Sequence, residues 1–136
     1  MKGEVHMSQH EIEVILARQL AEYLDMPIFI VDPAGDLLYY NEPAEAILGT
    51  RYVETGSMPA SEWSTAFKPV DHEGMPILPE ELPLMIAMTQ HHPAHKSFWI
   101  KGLDNAMRQI ELTAFPLIAQ ANRFLGAIAI FWEVSE

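Results

Sequence analysis

Apolar residues fall at Ile12, Ile15, Leu16, Leu20, Tyr23 and Leu24, three and four apart, with Glu13, Arg18 and Glu22 between them. That spacing is the repeat of an amphipathic helix. Ser8 followed three residues later by Glu11 forms a capping-box pattern at its start. Pro27 disfavours helical backbone at Met26. The pattern predicts a helix over about 9–24.

Beyond Pro27 the period changes. Ile28-Phe29-Ile30-Val31 and Leu37-Leu38-Tyr39-Tyr40 are short β-prone runs separated by Asp32-Pro33-Ala34-Gly35. The separator is a turn with a mechanism: proline presets φ, aspartate bonds the backbone ahead, and glycine accepts positive φ. Both runs are apolar on both faces, which predicts a hairpin in a sheet covered on both sides. Asn41 stands at an N-cap with Pro43 just inside, and Gly49 closes a short helix over 42–48. Residues 50–78 carry no sustained period; short helical pieces packed by Trp63 and Phe67 are expected there, one turn starting at Ser61-Glu62-Trp63. Pro79-Glu80-Glu81 opens a helix over about 80–90 with a wide apolar face, ending before Pro93. Three β-prone segments follow, Lys96 to Ile100, Met107 to Leu117 and Phe124 to Val134, joined by short turns at 102–105 and 120–122. Consecutive strands on short turns form an antiparallel meander. The order is that of an α+β domain, not of alternating βαβ units.

Composition narrows the function classes. The 136 residues fit one domain, and 49% hydrophobic with 20% charged is enough for an unaided core. Cysteine is absent, which removes disulfides, thiolate nucleophiles and cysteine-based metal sites. A formal net charge of −11 argues against nucleic acid and against an anionic membrane surface. No run approaches the roughly 18 apolar residues of a membrane span, and Met1–His6 has no apolar leader pattern. The expectation is a cytoplasmic protein.

Three blocks in order resemble the PAS family. The first runs from Pro27 to Asp32 and through Gly35, Tyr39, Asn41, Ala44-Glu45, Leu48 and Gly49: strand, Asp-x-x-Gly turn, strand, Asn and a short helix ending in Gly. The second is Asp71-His72-Glu73-Gly74-Met75-Pro76-Ile77-Leu78-Pro79 leading into Glu80-Glu81-Leu82-Pro83-Leu84, similar to the approach to the central helix in many bacterial PAS domains. The third is Glu111-Leu112-Thr113-Ala114, Pro116-Leu117 and Leu125-Gly126-Ala127, closing in Trp132-Glu133-Val134-Ser135-Glu136. There Glu133 and Ser135 stand where PAS cores usually carry Asp and Thr. The resemblance covers about 26–136 and leaves 1–25 as tail and amphipathic helix. It implies a five-stranded antiparallel sheet in order 2-1-5-4-3, with the middle helices closing a pocket on one face. No output domain follows Glu136 in this sequence, so the resemblance implies a stand-alone module or a piece of a longer protein.

By the family pattern, Phe29 and Val31, together with Leu38 and Tyr40, look into the pocket. Leu48, Met85, Ile86, Phe98, Leu112 and Ile128 are its further candidate neighbours. The same residues also suit a plain packed core. Met75, Met85, Met88 and Met107 are flexible gap-fillers. Haem-binding PAS domains use a histidine of the central helix, and 80–90 contains none. Light-sensing relatives of the LOV type form a flavin adduct through cysteine, which is lacking. Haem and a covalent flavin adduct are therefore disfavoured, and the cofactor is left open. His91, His92 and His95 form a dense imidazole run, but Pro93 interrupts the helical spacing that would bring His91 and His95 together on a metal. Asp32, Asp71, Glu111 and the histidines are the acid–base candidates, and no spacing joins two of them on one element.

Three functions follow as expectations. The first is a sensory module that binds a small, mostly apolar ligand and signals through protein contacts. The second is a ligand-free interaction domain, a homodimer or a dock for a separate signalling protein, using Ile12, Ile15, Leu16, Leu20, Tyr23 and Leu24. The third is a cone-shaped α+β enzyme of the ketosteroid-isomerase kind. It is disfavoured by the Asp-x-x-Gly hairpin and by the single helix before the first strand. The leading expectation is no enzyme.

Overall fold

The computed structural model describes residues 25–134 together with 15, 16, 19, 20 and 23. Those five positions are helical. Ile15, Leu16, Leu20 and Tyr23 are between 45% and 87% exposed; Ile12 and Leu24 lie outside the described residues.

Five strands form one antiparallel sheet: β1 (Ile28–Val31), β2 (Leu37–Tyr40), β3 (Ala94–Lys101), β4 (Met107–Ala119) and β5 (Arg123–Glu133). Their order is β2-β1-β5-β4-β3, as the resemblance implied. Between β2 and β3 lie four helices: α1 (Glu42–Leu48), α2 (Tyr52–Thr55), α3 (Ala60–Ala66) and α4 (Pro83–Gln90), with a 3₁₀ turn at Pro79–Glu81 before α4. Among the described residues no helix is long and apolar enough to cross a membrane.

β1 is buried at all four positions because it lies between β2 and β5 and is covered on both faces. Alternation sorts its residues. Phe29 and Val31 join the main core under the helices, whereas Ile28 and Ile30 join a second cluster with Ile128 on the opposite face. Burying each such side chain stabilises the fold by roughly 1.5–3 kcal/mol.

Local chemistry sets the connections. Asp32 Oδ1 accepts from the Ala34 and Asp36 amides, both at 2.9 Å, and closes the hairpin turn. Asp71 Oδ1 repeats the device on Glu73 and Met75, also at 2.9 Å. This second loop follows Val70, which exchanges two 2.9 Å backbone bonds with Trp99 and covers part of the β3 edge. Gly49 ends α1 with φ 81°, as a left-handed cap requires. Gly126 has φ 126°, and a Cβ there would run into the Val31 carbonyl oxygen, so β5 can approach β1 only with glycine at this point.

One expectation about elements needs correction. The helix expected over 80–90 is broken at Leu82, whose ψ of 138° is extended. Pro83 causes this by disfavouring α backbone in the residue before it. Residues 50–78 hold two short helices, α2 and α3, in keeping with the short helical pieces expected there.

Candidate ligand site

The helices and the inner sheet face leave a partly open cavity of about 70 Å³. Small residues occupy the neighbouring sheet face. Ala114 and Ala129 face each other across β4 and β5, and Ala129 pairs with Phe29 of β1. Three alanines, Ala114, Ala127 and Ala129, are fully buried on this face, with Phe29, Phe98 and Phe131 around them. Ala129 and all three phenylalanines line the cavity.

The helical wall is held by hydrogen bonds. Trp63 Nε1 donates to the Gly35 carbonyl at 2.8 Å, which pins α3 to the β1–β2 turn. The Trp63 ring meets Phe29 edge-on, centroids 5.7 Å apart at 69°. Tyr40 stacks on Phe29 at 5.9 Å, and its hydroxyl donates to the Thr50 carbonyl at 3.1 Å and lies 3.2 Å from Thr55 Oγ1. Burial pushes that hydroxyl above its ordinary pKa, against the bond with Thr55. At the opposite end Arg108 Nη1 donates to the Ile47 carbonyl at 2.9 Å and joins the β3–β4 turn to α1. Asp104 in that turn accepts from Arg108 at 2.7 and 3.0 Å. These bonds, with the Ala106 amide next, hold its carboxyl down to about 2.

Among the pocket candidates, Phe29, Leu48, Phe98 and Leu112 line the cavity. Val31 and Tyr40 sit in the same core without reaching the wall. Met85 packs on that core from a half-buried position, and Ile86 is half-buried; neither lines the cavity. Leu38 and Ile128 are corrections. Ile30 pairs with Tyr39 but Val31 pairs with Leu37, so Leu38 is the extra residue of a β-bulge. The bulge turns Leu37 into the core and leaves Leu38 39% exposed. Ile128 pairs with Ile30 and Phe115, and therefore belongs to the other face of the sheet.

Trp63, Ser64, Phe67, Ile110 and Phe131 line the cavity without having been candidates for it. Trp63 and Phe67 carried a signal, two aromatics four apart in a stretch otherwise without period. Ile110 and Phe131 follow only from the ladder, in which Ile110 pairs with Phe98 and Phe131 with Leu112.

The three histidines do not converge. His91 caps α4 with φ 57° and stacks on Phe124 at 4.2 Å. His92 bonds Gln90 Oε1 at 2.9 Å. His95 lies on the outer sheet face, with Nδ1 2.8 Å from Thr113 Oγ1 and Nε2 3.2 Å from Glu111 Oε1. Strand pairing, which the spacing did not show, joins Glu111 to a histidine on that exposed surface. No cluster of metal-ligating side chains occurs among the described residues. Asp32 and Asp71 are committed to their turns.

No family model and no curated protein sequence matches the chain. Solved structures do. The PAS domain of the fruit-fly ELK potassium channel superposes with a TM-score of 0.69 at 6% identity, over 92% of this chain and 98% of that one. The PAS domain of Bordetella pertussis BvgS gives 0.65 at 16% identity, over 91% and 88%. Drosophila melanogaster Cycle PAS-B, solved with bound ethylene glycol, gives 0.55 at 14% identity, over 80% and 100%. At these identities the likeness is one of architecture, and that architecture, a central β1 between β2 and β5 under a helical layer, is the PAS fold.

Proposed function

We propose that the protein is a sensory module that binds a small, mostly apolar ligand in the cavity and relays occupancy by contact with another chain. The observation that carries this reading is the cavity itself. About 70 Å³ is the liquid volume of roughly two waters, space that a core packed throughout would not leave. Among the described residues its walls carry no ionisable side chain, so the site suits recognition of apolar surface better than acid–base chemistry. The reading is of a binding module, not an enzyme. The bound ethylene glycol of Cycle PAS-B is consistent with small molecules entering a fold of this kind.

The relay runs through β5. Ala129 and Phe131 face the cavity, while Ile128 and Ile130 lie on the reverse of the same strand. Trp132, next along that reverse face, is 42% exposed. A ligand shifts such a strand only by binding two of its arrangements differently.

A second reading, a ligand-free dimerisation domain, is favoured by one observation: the exposed apolar residues Ile15, Leu16, Leu20 and Tyr23 of the N-terminal helix. Native mass spectrometry of freshly purified protein separates the two. A small co-purifying mass released by mild activation is expected under the first. An empty dimer that Leu20→Glu converts to monomer would replace it by the second.

A further inference from the structure

Fifteen of the described residues line the cavity, and only Trp63 and Ser64 among them have side chains able to hydrogen-bond. Trp63 spends its single donor on Gly35. Pro69 and Pro83 offer no N–H, and the carbonyls of Phe67 and Pro69 accept from Lys101 and Ile77. Ser64 is different. It is 2% exposed, yet its hydroxyl has no hydrogen-bond partner among the described residues. Its neighbour Thr65, on the same helix, turns back to the Ser61 and Glu62 carbonyls at 3.5 and 3.3 Å; such back-bonding is the ordinary recourse of a helical hydroxyl. Every sealed side-chain nitrogen or oxygen among the described residues has a partner. The unpartnered Ser64 oxygen is therefore not sealed, and the space its residue lines is the cavity.

We propose that Ser64 is the polar anchor of the site and that its ligand is an uncharged, compact apolar molecule with one hydrogen-bonding oxygen, of the small alcohol, ketone or phenol class. This rests on the cavity being a ligand site. A serine hydroxyl both donates and accepts, so it serves any of these oxygens. No described protein group bonds this hydroxyl, and a ligand oxygen in the cavity would supply its partner. A second polar group on the ligand would be stranded against hydrocarbon. A carboxylate or ammonium would meet no countercharge among the described residues of the walls.

The test uses three probes of one shape, benzene, phenol and benzoate, titrated calorimetrically into the wild-type protein and Ser64→Ala. Wild type is expected to bind benzene and phenol and to leave benzoate unbound. In Ser64→Ala the ratio of phenol to benzene affinity is expected to fall about fivefold, the worth of one neutral hydrogen bond. The ratio cancels any effect of the variant on cavity size or stability. An unchanged ratio overturns Ser64 as anchor while the cavity remains a ligand site. Benzoate binding as tightly as phenol overturns the uncharged class. If neither benzene nor phenol binds to the wild type, the ligand-site reading falls with the anchor.

Discussion

Asn41 does more than cap a helix. Its Oδ1 accepts from the Ala44 amide at 3.2 Å, as the cap position implies, and also from the Ile28 amide at 3.0 Å. Its Nδ2 donates to the Met26 carbonyl at 2.7 Å. One fully buried side chain thus ties α1 to the chain entering β1. Removing it leaves two donors and an acceptor unpaired. Asn41→Ala should cost about 2–4 kcal/mol in chemical denaturation. Asn41→Ser keeps the cap but not both other bonds, and should fall between Ala and wild type. If Ser were as stable as Asn, the cap alone would account for the residue. The cap was legible in the sequence because it is local. The bonds to Met26 and Ile28 were not, because they span 15 and 13 residues.

At the scale of elements, local rules held and pairing rules had to be seen. The α1 boundaries, the Asp32 turn and the two strands of the first hairpin follow from neighbours in sequence. Leu38 and Ile128 do not, since a bulge or a ladder register decides which face a strand residue takes. The β3–β4 turn shows the same division. Gly102 to Asn105 read as a turn, but only the fold brings Arg108 to Ile47, 61 residues away. That turn also carries a pH dependence. The Asp104 carboxyl is held at about 2, below its ordinary 3.8, chiefly by Arg108. A depressed carboxylate stabilises the folded state above its unfolded pKa, and the contribution is lost as pH falls through the folded value. The stability difference between wild type and Asp104→Asn should be full above about pH 4. It should shrink as pH falls from 4 towards 2. Denaturation midpoints of the two proteins over that range check it; a difference that stays constant across it would remove Asp104 as the source.

For the whole molecule, sheet order and layer arrangement were legible through the resemblance, because three motifs occur in order along the chain. The cavity was legible only in part. Phe29, Leu48, Phe98 and Leu112 were among the candidates, but Ile110, Ala129 and Phe131 reach the cavity through the strand ladder, which no local pattern shows. The central claim is that this space holds a ligand. Its most direct test is a crystal structure of the protein as purified, with nothing added. Continuous density is expected between Phe29, Trp63 and Phe98, with one end within hydrogen-bond distance of Ser64 Oγ. Side chains collapsed into the space, or water alone within it, would contradict the account.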